Sequence, residues 1–355
     1  MSRVLLIKTS SLGDVIHCLP AVSDMLAGVP GLRLDWLVEE GLAEIPRLHG
    51  GLAGVIPIPM RRWRRAPLAA STRAEMAGLK RDLRAAGYQR VIDAQGLIRT
   101  AWLGRLAGAP LSGYDLRSIR EPLASVWYDR KFAVSVTVHA AERMRRLAAQ
   151  AMGYDLPAEA DYGLSAAPVR PTWLPEGRYL VALHATARPD KAWDEANWIA
   201  LTRLAAMAGL TVVAPWGSPA ERERSERIVA AVAGAIAPPR LSYTELAGVI
   251  AGAAAVVGVD TGLTHLASAV GAPVVALYLA SWAEFNGVIG PGFIANLGGP
   301  GETPSVEAVW AQTQKALAHG RRTGPWRMPD APSAAELGKR RRFRPSNSRA
   351  VIQGR

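Results

Sequence analysis

Short apolar runs recur along this 355-residue chain, and longer stretches of helical periodicity lie between them. In the first half, runs at 4–7, 34–38, 55–58 and 91–94 predict strands, and periodic stretches from Val15, at 72–86 and at 140–152 predict helices. The passage Ala167-Pro168-Val169-Arg170-Pro171-Thr172-Trp173-Leu174-Pro175 then breaks all periodicity. The pattern resumes with strands at 179–183, 211–214, 255–259 and 274–277 and helices at 198–208, 220–233 and 306–318. Strands alternating with helices on both sides of a Pro-rich linker predict an α/β protein of two Rossmann-like domains facing across a cleft. The expected division is 1–166, a linker at 167–177, and 178–320. From Arg321 the pattern fades into Arg, Pro, Ser and Gly, so a basic, disordered tail is expected over 321–355.

A hydrophobic content of 49% supplies both domains with a core. The net charge of +12 points to nucleic acid or a membrane until it is divided along the chain. The tail holds ten Arg or Lys against Asp330 and Glu336, so it carries +8 and leaves the body at +4. That near-balance, without a recognition module, excludes nucleic acid as the expected partner. The basic run Lys339, Arg340, Arg341, Arg342 and Arg344 fits an anionic membrane surface instead. Cys18 is the only cysteine, which excludes an intrachain disulfide and a cysteine-based zinc site. Arg3 and Lys8 bracket only four apolar residues, too few for a signal peptide. The uncharged stretch 261–283 is split by Gly271 and Pro273, so no membrane-spanning helix is expected.

Candidate chemistry collects where strands give way to helices. Lys8-Thr9-Ser10-Ser11-Leu12-Gly13-Asp14 follows the first strand, which puts Asp14 at the crevice where α/β sheets bind ligands. The same position suits an ordinary helix cap, and both readings stand on the pattern. Val259-Asp260-Thr261-Gly262-Leu263-Thr264-His265 reads as a strand end, a tight turn and a helix N-terminus. The N–H groups of Thr261 and Gly262 there suit a diphosphate and Asp260 suits sugar hydroxyls, although Asp260 as a plain cap fits equally. The loop from His184 to Trp193 offers Lys191 to a phosphate, and Glu221 begins a helix, where the dipole alone favours a carboxylate. Arg61, Arg62, Arg64 and Arg65 surround Trp63 and read as a phosphate-binding cluster or a solvated basic loop, with Trp63 free to stack on an arginine or rest on lipid headgroups. No Asp-x-Asp pair, P-loop lysine or zinc spacing occurs, and no Gly-x-Gly-x-x-Gly follows the first strand. No metal or cofactor is expected.

Together with Trp36-Leu37-Val38-Glu39-Glu40-Gly41, Asp93-Ala94-Gln95-Gly96-Leu97 and Arg120-Glu121-Pro122-Leu123-Ala124-Ser125, these stretches resemble the lipopolysaccharide heptosyltransferases, heptosyltransferase I most closely, from Arg3 to about Leu317. The resemblance implies the two-domain arrangement called GT-B. It also implies an inverting, metal-independent glycosyltransferase that moves heptose from ADP-heptose to the Kdo region of lipid A, as a peripheral protein on the cytoplasmic face of a bacterial inner membrane. On that basis Asp14 is the general base and Lys191 steadies the leaving group. Thr186, Lys191, Glu221, Asp260, Thr261, Gly262 and His265 face the donor, with Glu223 a rival to Glu221. Ser11, Gly13, Arg61, Arg62, Arg64, Arg65 and Arg120 face the acceptor in the first domain. Ala187 departs from the family, which has a second hydroxyl there. Heptosyltransferase II, or another enzyme extending the same core, fits the same motifs. A sugar-nucleotide epimerase shares only the domain plan.

Overall fold

The computed structural model describes residues 2–333, and the basic run 339–344 lies outside them. The chain opens with strand β1 (Arg3–Ile7), helix α1 (Leu12–Gly28), β2 (Arg33–Glu39), α2 (Glu44–Arg47), β3 (Gly54–Ile58), α3 (Met60–Arg65) and α4 (Ala70–Ala85). It continues through β4 (Arg90–Asp93), α5 (Ile98–Leu106), β5 (Leu111–Tyr114), the 3₁₀ turn Pro122–Trp127, β6 (Arg130–Phe132), α6 (Ala140–Met152) and β7 (Glu159–Ala160). Strands β1 to β6 form one parallel sheet in the order β3-β2-β1-β4-β5-β6.

Residues 167–177 hold neither helix nor strand. A second unit follows with β8 (Tyr179–Leu183), α7 (Glu195–Met207), β9 (Thr211–Val213), α8 (Pro219–Ala230), α9 (Tyr243–Ala251) and β10 (Ala255–Val259). After it come α10 (Gly262–Ala269), β11 (Val274–Tyr278), α11 (Ala283–Asn286), β12 (Ile294–Gly298), α12 (Val306–Leu317) and β13 (Trp326–Arg327). Its sheet is parallel in the order β12-β11-β10-β8-β9. Strands covered on both faces must be apolar throughout. Every residue of β8, β10 and β11 is buried, which is why these runs stand out in the sequence. Strand β5 is short and carries Ser112 and Gly113, while β6 and β12 are half-exposed sheet edges, so none of the three forms an apolar run.

The two units meet along α1. That helix packs on α6 within its own half, where the buried Arg145 guanidinium bonds Asp24 through Nε at 2.7 Å. Its N-terminal end packs on α10 of the other half. Glycine makes this approach possible, because a Cβ on Gly262 would lie 2.5 Å from Leu12 Cγ and one on Gly13 would lie 3.3 Å from His265 Cδ2. Three buried histidines line the seam. His17 Nε2 lies 3.1 Å from His265 Nδ1, and the His17 ring meets His139 edge to face. His139 Nδ1 accepts the Ala141 N–H, so its Nε2–H donates to the Gly287 carbonyl at 3.0 Å. Farther along, Glu44 on α2 accepts both the backbone N–H and the hydroxyl of Thr244 on α9, each at 2.9 Å.

The tail departs from expectation at its start. Arg321 donates to the carbonyls of Val270 and Ala166, β13 pairs antiparallel with β7, and Trp326 stacks on Tyr162 with ring centroids 5.6 Å apart. One buried aromatic and a few backbone pairs order residues 321–333 although the composition around them is that of a disordered chain.

Burial lowers the pKa of His139 and of His265 to about 4, and that of His17 well below its ordinary value. Between about pH 6.5 and about 4 the unfolded chain therefore binds protons on these rings that the folded chain refuses, so stability should fall as pH falls through that window. The buried Asp24 and Asp93 carboxyls are raised by burial and pull the opposite way. They are common to wild type and a His139→Gln variant, so the variant's thermal midpoint should decline less steeply with acid. Parallel declines in the two proteins would contradict the assignment.

Candidate active site

In each sheet the strand order reverses once, and ligands of open α/β sheets bind beyond the carboxyl ends of the strands at that point. The first reversal lies between β1 and β4, the second between β8 and β10. The loops that follow these four strands carry most of the expected site residues.

In the first half, Asp14 occupies the first turn of α1 with Ser11 as the N-cap residue. Its Oδ2 accepts the Ser11 N–H at 2.9 Å and contacts the Ser11 hydroxyl at 3.3 Å. Its Oδ1 takes part only in an ion pair, with the nearly buried Lys8 ammonium 3.8 Å away. The capping reading of Asp14 is thus seen in the structure, through one oxygen, and the other oxygen accepts no hydrogen bond among the described residues. The turn is steadied from β4, since Gln95 Oε1 accepts the N–H groups of Thr9 and Ser10 at 3.1 and 3.2 Å. Buried Asp93 in turn holds Gln95 and Gly96 through their N–H groups and also accepts from Thr100 and Tyr128.

These loops enclose a pocket of about 380 Å³ lined by Ser10, Ser11, Asp14, Gln95, Leu97, Arg99, Arg120 and Glu121. Asp14 and Arg120 thus share one cavity. Arg99, at the start of α5, joins them without having been singled out by the sequence. Its Nε is buried without a partner, and desolvation, followed by the nearby Arg64 and Arg120 charges, pulls its pKa down. Two guanidinium groups, Arg99 and Arg120, line the pocket, and the Arg64 charge reaches Arg99, a setting that favours an anion.

The expected cluster of four arginines is divided. The six-residue α3 buries Trp63, whose indole N–H donates to Glu75 at 2.6 Å, so Trp63 is available to neither lipid nor stacking from solvent. Arg62 bonds both oxygens of the same Glu75, at 2.7 and 2.9 Å. Among the described residues Arg61, Arg64 and Arg65 have no ion pair. Of the four, Arg62 is the one engaged in an ion pair, and it stays half exposed.

In the second half, Lys191 bonds Asp260 Oδ2 at 2.5 Å, and Ser281 donates to the same oxygen. Thr261, not Asp260, is the N-cap residue of α10, and its side chain makes no cap bond, which leaves N–H groups of the first turn without a side-chain cap. Thr186 borders the loop and accepts the Arg188 N–H at 3.4 Å. Glu221 spends Oε2 on the N–H groups of Gly217 and Ser218, while Glu223 is exposed beyond it. Tyr243 lies in the field of both Arg61 and Glu221, so these two approach it from opposite halves.

The two groups meet at His265. Its ring feels the charges of Asp260, Lys191 and Asp14 together, and its Nε2 lies 4.0 Å from Asp260 Oδ1. The start of α1, which carries Asp14, therefore lies beside His265 and the start of α10, with the Lys191–Asp260 pair nearby. That pairing suits deprotonation of a nucleophile on one side and stabilisation of an anionic leaving group on the other.

Comparison with known proteins shows the family. Residues 76–314 match the family model described as "Glycosyltransferase family 9 (heptosyltransferase)". A Pseudomonas aeruginosa protein named lipopolysaccharide heptosyltransferase 1 is 47% identical over 290 residues, covering 81% of each chain. The structure of E. coli heptosyltransferase WaaC with ADP is similar at 39% identity and a TM-score of 0.80, covering 88% of this chain and 99% of that one. WaaC with ADP-2-deoxy-2-fluoro heptose is similar at 40% identity and a TM-score of 0.79, with the same coverage. By the family model and these likenesses, the chain belongs to glycosyltransferase family 9, the heptosyltransferases.

Proposed function

We propose that this enzyme transfers heptose from ADP-heptose to the Kdo region of lipid A, with inversion at the anomeric carbon and without a metal ion. The observation that carries the reading is the convergence of Asp14 and the Lys191–Asp260 pair on His265. Residues 1–166 hold the acceptor and residues 178–320 hold the nucleotide sugar, at the first and second strand reversals respectively.

Asp14 Oδ1, the oxygen not engaged by Ser11, takes the proton of the attacking acceptor hydroxyl. As the bond from the anomeric carbon to ADP breaks, negative charge grows on the diphosphate. An ammonium has three donors, so Lys191 can keep Asp260 and still offer two to the leaving group. The uncapped N–H groups at the start of α10 add a second source of positive potential. Thr186 and the free oxygen of Glu221 are placed to hold diphosphate and ribose hydroxyls. Arg61, Arg64, Arg65, Arg99 and Arg120 receive the anionic groups of the acceptor, beside Ser11 and Gly13. Among the described residues no helix is long and apolar enough to cross a membrane. The enzyme works as a peripheral protein at the cytoplasmic face of the inner membrane, where a lipid-borne acceptor is presented.

Asp14→Asn tests the base. The amide keeps the size and the capping ability of the carboxylate but cannot accept the proton, so transfer should drop by about 10²–10⁴-fold with the thermal midpoint close to wild type. Transfer at the wild-type rate would assign Asp14 to the cap alone. The arginines separate by role as well. Arg99→Ala should raise the acceptor KM about tenfold or more, because it removes a charge-assisted contact. Arg62→Ala should leave that KM unchanged, since Arg62 serves Glu75. Equal effects of the two substitutions would refute the division of the cluster.

A further inference from the structure

The 3₁₀ turn Pro122–Trp127 presents the largest group of exposed apolar side chains close to the pocket. Leu123 is 69% exposed, Val126 74% and Trp127 41%, and Leu116 on the preceding turn is 62% exposed. This is not loose packing. The same turn buries Ala124 and Ser125, and the Ser125 hydroxyl is bonded to the Pro122 carbonyl at 2.8 Å. In a 3₁₀ turn residues three apart eclipse, so Leu123 and Val126 stand on one outward face. A folded chain rarely leaves such a group in water unless something covers it.

Its surroundings name the cover. Arg117 and Arg120 lie on the segment before the turn and Arg130 and Lys131 on the edge strand after it, all exposed and without an ion pair among the described residues. The nearby carboxylates each have a partner within the protein, although Asp129 stays exposed beside Arg130. Asp115 accepts from Ser118, Glu121 from the Ile98 N–H, and Asp129 from Arg105 and the Leu111 N–H. What remains outward is an apolar knob with an aromatic at its side and a fringe of cations. That chemistry matches the headgroup and upper acyl region of an anionic bilayer. The knob is also continuous with the pocket, since Arg120 and Glu121 line it and Ile98, bonded to Glu121, is itself 40% exposed.

We infer that the turn 122–127, with Leu116 and the cations Arg117, Arg120, Arg130 and Lys131, is the surface by which this protein docks on an anionic lipid bilayer. Docked in this way, the first half rests its edge strand side on the membrane, and the pocket containing Asp14 opens next to lipid. The orientation rests on the glycolipid-acceptor reading above, whereas the docking itself does not.

The test uses the full chain and vesicles of phosphatidylethanolamine with and without phosphatidylglycerol, scored by flotation in the absence of substrate. Wild type should bind the phosphatidylglycerol vesicles and lose them as salt rises. The double variant Leu123→Asp/Val126→Asp should bind about tenfold less or weaker still, because two apolar insertions are lost. Arg130→Glu/Lys131→Glu should weaken binding only at low salt. Both should keep the wild-type thermal midpoint and turn over a detergent-solubilised acceptor at the wild-type rate. Binding by Leu123→Asp/Val126→Asp equal to wild type would overturn the proposal. So would sedimentation showing that wild type is a dimer which this variant dissolves, because the face would then belong to a second copy. Flotation is scored without heptosyl transfer, so failure of the proposed reaction and failure of the docking surface are seen separately.

Discussion

Two helix N-termini, one from each half of the chain, approach closely because glycine stands at each point of contact. Gly262 at the start of α10 admits the Leu12 side chain, and Gly13 at the start of α1 admits the edge of the His265 ring. A helix N-terminus is where side chains of the preceding loop are presented and where backbone N–H groups remain unsatisfied. Bringing two of them together sets the turn that carries Asp14 beside His265, which in turn neighbours Asp260 of the Lys191–Asp260 pair. Neither half holds both sets of groups. The relative placement of the two groups therefore depends on a packing contact between α1 and α10 at Leu12 and Gly262.

The seam is electrostatically one-sided. Its three histidines are buried as neutral rings, so they transmit hydrogen bonds across the contact without adding charge to it. The positive charge lies beyond them, at Lys8, Arg99 and Arg120 around the first pocket and at Lys191 in the second half. This separation fits a reaction in which anionic groups arrive from both sides while one carboxylate keeps a free oxygen. Cys18, in the middle of α1, is buried with its thiol pushed up to about 12, which agrees with a packing role.

The central strands were legible because a parallel strand covered on both faces leaves no room for polar residues, and the loops after β1, β8 and β10 follow directly from those strands. Asp14, Lys191, Asp260 and Thr261 could be found on that basis. Edge strands such as β6 leave no such trace. Arg99 and Gln95 escaped because their importance comes from β4 lying beside β1, a neighbour relation between residues more than eighty positions apart. The burial of Trp63 and the engagement of Arg62 were hidden for a related reason. Their partner, Glu75, lies on the next helix, and a local run of arginines around a tryptophan looks the same whether or not a carboxylate closes over it. Residues 321–333 show that average composition hides a single anchor such as Trp326.

The transfer rate of a Leu12→Trp variant at saturating ADP-heptose and acceptor tests the glycine-lined contact most directly. Leu12 belongs to neither binding group, but a larger ring there has no space against Gly262 and must push the two helix ends apart. Because misplacing reacting groups by an ångström costs on the order of a hundredfold, the rate should fall by about that factor while each half, measured by calorimetry, still binds its own substrate at close to wild-type affinity. A wild-type rate in this variant would contradict the claim that the contact between α1 and α10 sets the catalytic geometry.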